Sequence, residues 1–248
     1  MKLQYVLDQL AVGEFSQLSI GGLGQGVVAE GNWDKIIPHI NLGLTALYSR
    51  FNLKENRITL LLQQGVNTYP ITSAYAEHNR KSREPVRYLK DSEAYPFEDD
   101  IQKIERVLTD AGYELGLNDL ADPVSVFTPT ATTLRVPDIL VEGSVDLPDY
   151  LNTGNLVLVY RASHPQIVQG IGYFDPSRVT LELPMSHLTP LLYFVASRVH
   201  NPIGMSNEFH AGNSYYAKYE AACRELEGQN LQVDRGSSNT RLGRNGWV

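Results

Sequence analysis

The sequence predicts an α+β fold, with helices near both ends of the chain and a β-rich module inserted between them. Three observations lead there. Apolar residues recur at helical spacing in the first 55 residues and again after residue 184. Short apolar runs separated by turn residues fill the middle. Most of the 13 prolines fall between residues 70 and 190, a density that long helices do not tolerate.

Each element has its own signal. Leu3, Val6, Leu7 and Leu10 mark one helical face, and Gly13 ends it. Trp33, Ile36, Ile37, Ile40, Leu44, Leu47, Tyr48 and Phe51 trace a longer face of about five turns. Asn32 is the expected N-cap there, and Pro38 should kink that helix or move its start. Leu188, Leu191, Leu192, Val195 and Val199 form a third stripe, opened by Thr189-Pro190 or Ser186 and closed near Asn201-Pro202. Phe209, Tyr216, Tyr219, Cys223 and Leu226 form the fourth, ending at Gly228. Between them, Ile58–Gln63 and Thr68–Thr72 flank a turn and read as a β-hairpin, as do Ile104–Leu108 and Tyr113–Leu115 around Asp110-Ala111-Gly112. Thr132–Val136, Leu156–Tyr160 and Val179–Leu183 are further strand candidates.

This pattern divides the chain into a helical core, 1–55 with 184–227, a β-rich module over 56–183, and an extended C-terminal tail over 228–248. The core is expected to be a helical bundle. Five glycines lie between Ser19 and Gly31, which predicts a flexible loop. The tail holds four glycines and no helical period. Arg235, Arg241 and Arg244 stand against Asp234, so it is locally cationic on an acidic protein. Leu231, Val233, Leu242 and Trp247 make it more apolar than a solvating tail requires. Fully extended, it would reach roughly 70 Å.

Composition excludes several classes. No apolar run is long enough for a membrane-spanning helix. The start carries acidic residues and no small-residue cleavage site, so a signal peptide is not expected. Cys223 is the sole cysteine, which removes an internal disulfide or a multi-cysteine zinc site and fits a reducing compartment. A net charge of −7 argues against a wholly basic nucleic-acid-binding surface.

No chemical motif assembles. GGLGQGVV has Val27 where a dinucleotide loop needs its third glycine, and no strand precedes it. No GxxxxGK[ST] or GxSxG occurs. His39, His78, His164, His187, His200 and His210 form no metal-ligand spacing. Cys223, on an apolar helix face, reads as a small buried hydrophobe. Glu98, Asp99 and Asp100 read as a solvated turn, and His78–Arg83, with three cations, as a solvated loop. Fourteen tyrosines, against seven phenylalanines and two tryptophans, suit either a tyrosine-rich core edge or contacts with other proteins. No catalytic, metal or cofactor residue is assigned.

Some segments resemble a known family. WDKIIPHINLGLTALYSRFNLKENRITLLLQQGVNTYPI is similar to the start of the tail tubular protein A, or head–tail adaptor, family of short-tailed bacteriophages. The shared pattern is Ile40-Asn41, Leu44 and Leu47 on a helix, then Phe51-Asn52-Leu53 and Ile58–Leu62. The C-terminal stretch with Ala196-Ser197-Arg198, Pro202-Ile203-Gly204 and Tyr215–Glu227 resembles the family's closing helix pair. SVFTPTATTLRVP resembles a β segment of phage virion proteins. The likeness covers about half the chain, and the β insertion has no residue-by-residue counterpart.

The resemblance implies a structural virion protein and no enzyme. It implies a homo-oligomeric ring, a dodecamer in the family, at the head–tail junction between the portal protein and the tail tube or nozzle, assembled in the host cytoplasm. The ring would extend the DNA channel, letting the genome pass without binding it specifically. A C-terminal extension enters the portal in several members. Here that role falls to Leu231, Val233, Arg235, Arg241, Leu242, Arg244 and Trp247. The alternatives are a tail-tube, nozzle or baseplate component and, further off, a cell-wall or polysaccharide hydrolase using Glu98, Asp99 or Glu114 with His164.

Overall fold

A computed structural model describes residues 1–16, 18, 20, 26–79, 84–143, 147–152, 154–169, 174–200 and 206–229, with side chains of the last segment from residue 212. In chain order the elements are α1 (Leu3–Val12), α2 (Trp33–Arg50), β1 (Glu55–Leu61), β2 (Thr68–Pro70), β3 (Leu89–Lys90), β4 (Ile101–Thr109), β5 (Phe127–Thr130), β6 (Thr133–Arg135), α3 (Asp138–Glu142), β7 (Asn155–Ala162), α4 (Leu188–Val199) and α5 (Ser206–Gly228). The fold is α+β, with helices and antiparallel sheets. No described helix is long and apolar enough to cross a membrane. The chain divides into two compact units: Met1–Leu53 with the residues from His164 onward, and Lys54–Ser163.

In the helical unit α4 is the central element. It is buried on nearly every side and packs against α1, α2 and α5. The predicted stripes of α1 and α2 are the faces that enter the core. Pro38 lies within α2, which starts at Trp33 regardless. Asn32 makes no side-chain cap, because a 3-10 turn over Glu30–Asn32 carries the chain into the helix. A 3-10 turn over Met185–His187 likewise opens α4, in place of a Thr189 or Ser186 cap.

Residues 164–183 are expected in the β module, but the described ones, 164–169 and 174–183, belong to the helical unit. Ile167, Leu181 and Leu183 join the helical core. The first-turn N–H groups of α1 lack intrahelical partners. Two of them find partners here: Leu3 N–H donates to Val179 O (3.0 Å) and Gln4 N–H to Pro176 O (3.3 Å). The expected strand Val179–Leu183 is therefore extended chain, bridged once between Thr180 and Lys2. Asn41 fixes the same segment to α2. Its amide donates to Ile167 O (3.0 Å) and accepts from Ile167 N–H (2.9 Å), imitating a strand pair.

In the β module β1, β3, β4 and β7 form one antiparallel sheet in the order β3-β1-β7-β4. Its inner face carries Ile58, Leu60, Ile104, Val107, Leu156, Leu158 and Tyr160 into the core. The smaller sheet has the order β2-β6-β5. The expected hairpin between Ile58–Gln63 and Thr68–Thr72 does not form: β1 pairs with β7 and β3, and β2 pairs with β6. The Tyr69 hydroxyl closes that turn instead, accepting from Gln63 N–H (2.9 Å) and donating to Val66 O (2.7 Å). The second expected hairpin does turn back at Gly112, whose φ of +82° favours glycine. Its return arm is short, with Leu115 N–H donating to Val107 O.

Candidate functional site

The arrangement with the most unusual chemistry is an aromatic seam between α4 and α5. Helical spacing puts Tyr215 and Tyr219 on one face of α5, four residues apart. Phe194 meets Tyr219 edge-on at 5.3 Å, and His200 stacks on Tyr215 at 5.0 Å. The Lys218 ammonium lies 4.9 Å from the Tyr215 ring centre and 5.9 Å from that of Tyr193, within cation–π range. Arg198 sits over the Phe194 ring at 5.4 Å. His200 Nε2 is 2.9 Å from the Glu14 carbonyl, tying the seam to the chain after α1. Burial pushes the Tyr215 and Tyr219 hydroxyls upward, and both remain neutral phenols. Tyr216 stays about half exposed beside them. The seam packs α4 on α5 through edge-on and stacked rings, with Phe194 and Tyr219 buried in the core. The tyrosine excess and the spacing of Tyr215 and Tyr219 were its only signals in the sequence.

Arg50, at the end of α2, holds α5. Its Nε lies 2.6 Å from Glu227 Oε1, and its Nη1 lies 3.0 Å from Glu220 Oε2. Hydrogen bonds to Glu227 and then Glu220 raise the guanidinium pKa further, against burial, and Glu227 is held below the usual carboxylate range by Arg50. Arg50→Ala should cost roughly 1–2 kcal/mol, between an exposed ion pair and a buried hydrogen bond to charge. Urea unfolding followed by helical circular dichroism measures this. A loss that did not shrink in 1 M salt would assign the effect to packing rather than charge.

Of the acidic residues singled out in the sequence, Asp99 and Asp100 are engaged in structure. Asp100 accepts from Asn56 Nδ2 and from the Tyr160 hydroxyl, both at 2.9 Å. Asp99 accepts from the Ser73 N–H and hydroxyl. Glu98 and Glu114 are exposed. His164 belongs to the helical unit, where its Nε2 accepts from Glu182 N–H (3.1 Å) and its ring meets Tyr48 edge-on.

His78 is exposed, whereas His39 and His187 are at least half-buried. Burial and then Arg198 lower the pKa of His39, and burial lowers that of His187. Both have a buried ring nitrogen without a hydrogen-bond partner. The His210 side chain lies outside the described residues. Among the described residues no three His, Cys, Asp or Glu side chains converge on a metal position. Cys223 is fully buried and its thiol is pushed up by burial. Residues 80–83 of the cationic run and 21–25 of the glycine-rich segment lie outside the described residues.

A cleft of about 370 Å³ opens in the β module, lined by Leu120, Asp122, Pro123, Phe127, Arg135 and Pro137. Asp122 is committed to its own turn, accepting from Val124 N–H (3.0 Å). Leu231, Val233, Arg235, Arg241, Leu242, Arg244 and Trp247 all lie outside the described residues. Comparison with models of known protein families finds no match for the chain, and comparison with curated protein sequences finds none either.

Proposed function

We propose that this chain is a structural virion protein, a head–tail adaptor that forms a ring between the portal and the tail tube or nozzle of a short-tailed bacteriophage. The observation that carries the reading is the joining of the chain's two ends. The helical parts of the segments that resemble the adaptor family, residues 33–53 and α4–α5, pack into one unit clamped by Arg50, while residues 54–71 of the same likeness belong to the β module, where β1 and β2 do not pair as a hairpin. The likeness in sequence thus corresponds to helices that touch, in the order the family implies. The aromatic seam holds α4 against α5 within the core and leaves Tyr216 exposed beside it.

In this reading the subunits repeat around a channel, twelve of them by the family's precedent, each meeting its neighbours through different faces. The genome passes a wall of like charge and is not held. The residues after α5 reach into the portal, with Trp247, Leu242 and Leu231 as apolar anchors and Arg235, Arg241 and Arg244 as charged partners. No cofactor and no catalytic residue is assigned.

Truncation after Gln229 tests the tail's role. α5 ends at Gly228, and Arg50 grips residues at or before Glu227, so helical circular dichroism should be unchanged. Pull-down by purified portal should fall at least tenfold. Equal portal binding by truncated and full-length protein would overturn the tail assignment. Antibody labelling of virions at the distal tail, rather than the head–tail junction, would favour a tail-tube, nozzle or baseplate role.

A further inference from the structure

We propose that the outer face of the four-stranded sheet receives the acidic loop end of a second copy of this chain, joining β modules head to tail. The face follows from the register. Glu55, Arg161 and Lys103 lie in one row across β1, β7 and β4, and Arg57, Val159 and Arg106 in the next. Lys90 on β3 pairs with Thr59, which points the same way. Five cations therefore share this face, and the carboxylates among them come from Glu55 and from Glu105 in a β-bulge.

Each carboxylate is divided between two cations. Glu55 is 3.9 Å from Arg57 and 3.6 Å from Arg106. Glu105 is 2.7 Å from Lys103 and 3.0 Å from Arg161. The balance of five cations and two acids leaves a surplus of three positive charges on a chain whose net charge is −7. The Arg57 and Lys103 side chains are 64% and 65% exposed and Lys90 is exposed, whereas Arg106 and Arg161 are about three-quarters covered and Val159 between them is buried, so the open charge sits on Arg57, Lys103 and Lys90. Half-buried Leu61, Leu108 and Val157 lie beside it, giving the mixed apolar and cationic character that interfaces favour.

The same module carries the complement. From Asp110 to Asn152 the sequence has eight carboxylates and one cation, Arg135, a balance of −7. In the chain these residues connect β4 to β7 and include β5, β6 and α3, with the return arm to Leu115 folding back along β4. Asp119, Asp138, Glu142 and Asp149 are exposed among them. Leu120 stands 92% exposed, and the half-exposed rings of Tyr113 and Tyr150 are 4.7 Å apart, which supplies apolar anchors. The pairs of Arg57, Lys103 and Arg106 go to Glu55 and Glu105, not to these acids.

A polyanion approaching the sheet face would meet the net repulsion of an acidic molecule. A second copy brings a complementary patch and turns its like charge elsewhere. Such a contact joins two different surfaces, so repetition generates a ring or an open filament.

The inference deepens the ring-forming reading and rests on it for closure into a ring. Its test uses the full chain, with a sheet-face reversal (Arg57→Glu with Lys103→Glu) and a loop reversal (Asp119→Lys with Asp149→Lys). Sedimentation velocity at low salt should show wild type self-associating, and each reversed variant at least tenfold weaker. An equimolar mixture of the two variants should associate again, because each then offers the other an opposite charge. Zero-length carbodiimide coupling of isotopically mixed wild type should join Lys90 or Lys103 of one copy to a carboxylate of 110–149 in another.

Wild-type association that neither reversal weakens would overturn the contact and leave the ring reading standing. No self-association and no such cross-link at any concentration would overturn the contact as well. A shift of duplex DNA by wild type, lost with the sheet-face reversal, would assign the face to nucleic acid instead. Rescue by mixing, in a protein located away from the head–tail junction, would uphold the contact while the adaptor reading fell.

Discussion

Asp91→Ala should destabilise the β module by roughly 2–3 kcal/mol, because it strips one exposed and one half-buried backbone N–H, and the His78 ring, of a charged acceptor, at about 1 kcal/mol each. The Asp91 side chain is 3% exposed. It accepts from the N–H groups of His78 and Phe97, both at 3.0 Å, and one oxygen lies 2.8 Å from His78 Nδ1. These donors come from two different loops, so one carboxylate at the end of β3 ties both to the sheet. Phe97 then enters the core and meets the Tyr160 ring edge-on.

Burial alone would push Asp91 upward. The Phe97 N–H, then the His78 side chain and N–H, outweigh it and hold the carboxyl below its ordinary value of 3.8. A depressed folded pKa means that the unfolded chain binds the proton more readily. The contribution is therefore present above about pH 4, and is lost as pH falls below 3.8 and through the folded pKa. Asp91→Asn should cost less than Ala at pH 7, because its carbonyl still accepts, and should remove this part of the acid dependence. Urea unfolding and hydrogen exchange of β1 and β7 amides, at pH 7 and pH 3, measure both effects. An alanine variant within 1 kcal/mol of wild type would refute the tie, and an unchanged acid slope in the Asn variant would refute the linkage.

Asp91 also marks the limit of what the sequence displays. Periodicity reports that a segment buries one face, so α2 and β7 were legible from their own residues. The same logic found α5 through Tyr219, Cys223 and Leu226, which are buried, but it placed Tyr216 on that face, and Tyr216 is half exposed while Tyr215 packs on His200 instead. It does not report partners. Residues 58–63 and 68–72 have the pattern of a hairpin, yet β1 finds a longer, more apolar partner in β7, some hundred residues later. The α2 start after Asn32 was legible, but the caps were not: 3-10 turns lead into α2 and α4, and neither Asn32 nor Thr189 makes a side-chain cap. Residues 164–183 carry a strand-like composition, but their partners are the N–H groups of α1 and the amide of Asn41. A tyrosine excess was visible from composition alone. Its concentration between α4 and α5 was not, because it depends on two helices meeting. Residues 230–248, which carry all the predicted portal contacts, lie outside the described structure.

Gly43→Leu should be the most damaging single change in the helical unit, at about 3 kcal/mol or more, near the top of the usual range for overpacking. Gly43 lies on the buried face of α2, within the stripe that faces α4. A Cβ there would lie 2.7 Å from Leu191 Cδ1 and 3.1 Å from Phe194 Cδ1. Leu191 is fully buried, so its methyl has no solvent to turn into. Glycine inside a helix ordinarily costs about 1 kcal/mol against alanine, and here it permits the close approach of α2 and α4. Gly43→Ala thus sets a gain of about 1 kcal/mol in helix propensity against an overlap worth about 1–3 kcal/mol, for a net loss of up to about 2 kcal/mol. The leucine variant adds three further carbons to the same space and should lower the thermal midpoint by about 6–12 °C, from roughly 2–4 °C per kcal/mol at this chain length. Leu191→Ala opens room beneath Gly43, so its combination with Gly43→Leu should be less unstable than the two single losses summed. The helical signal at 222 nm during thermal unfolding of all four proteins reads the cycle. An alanine variant at least as stable as wild type, or strict additivity in the double variant, would mean that the contact between α2 and α4 is not the tight one described.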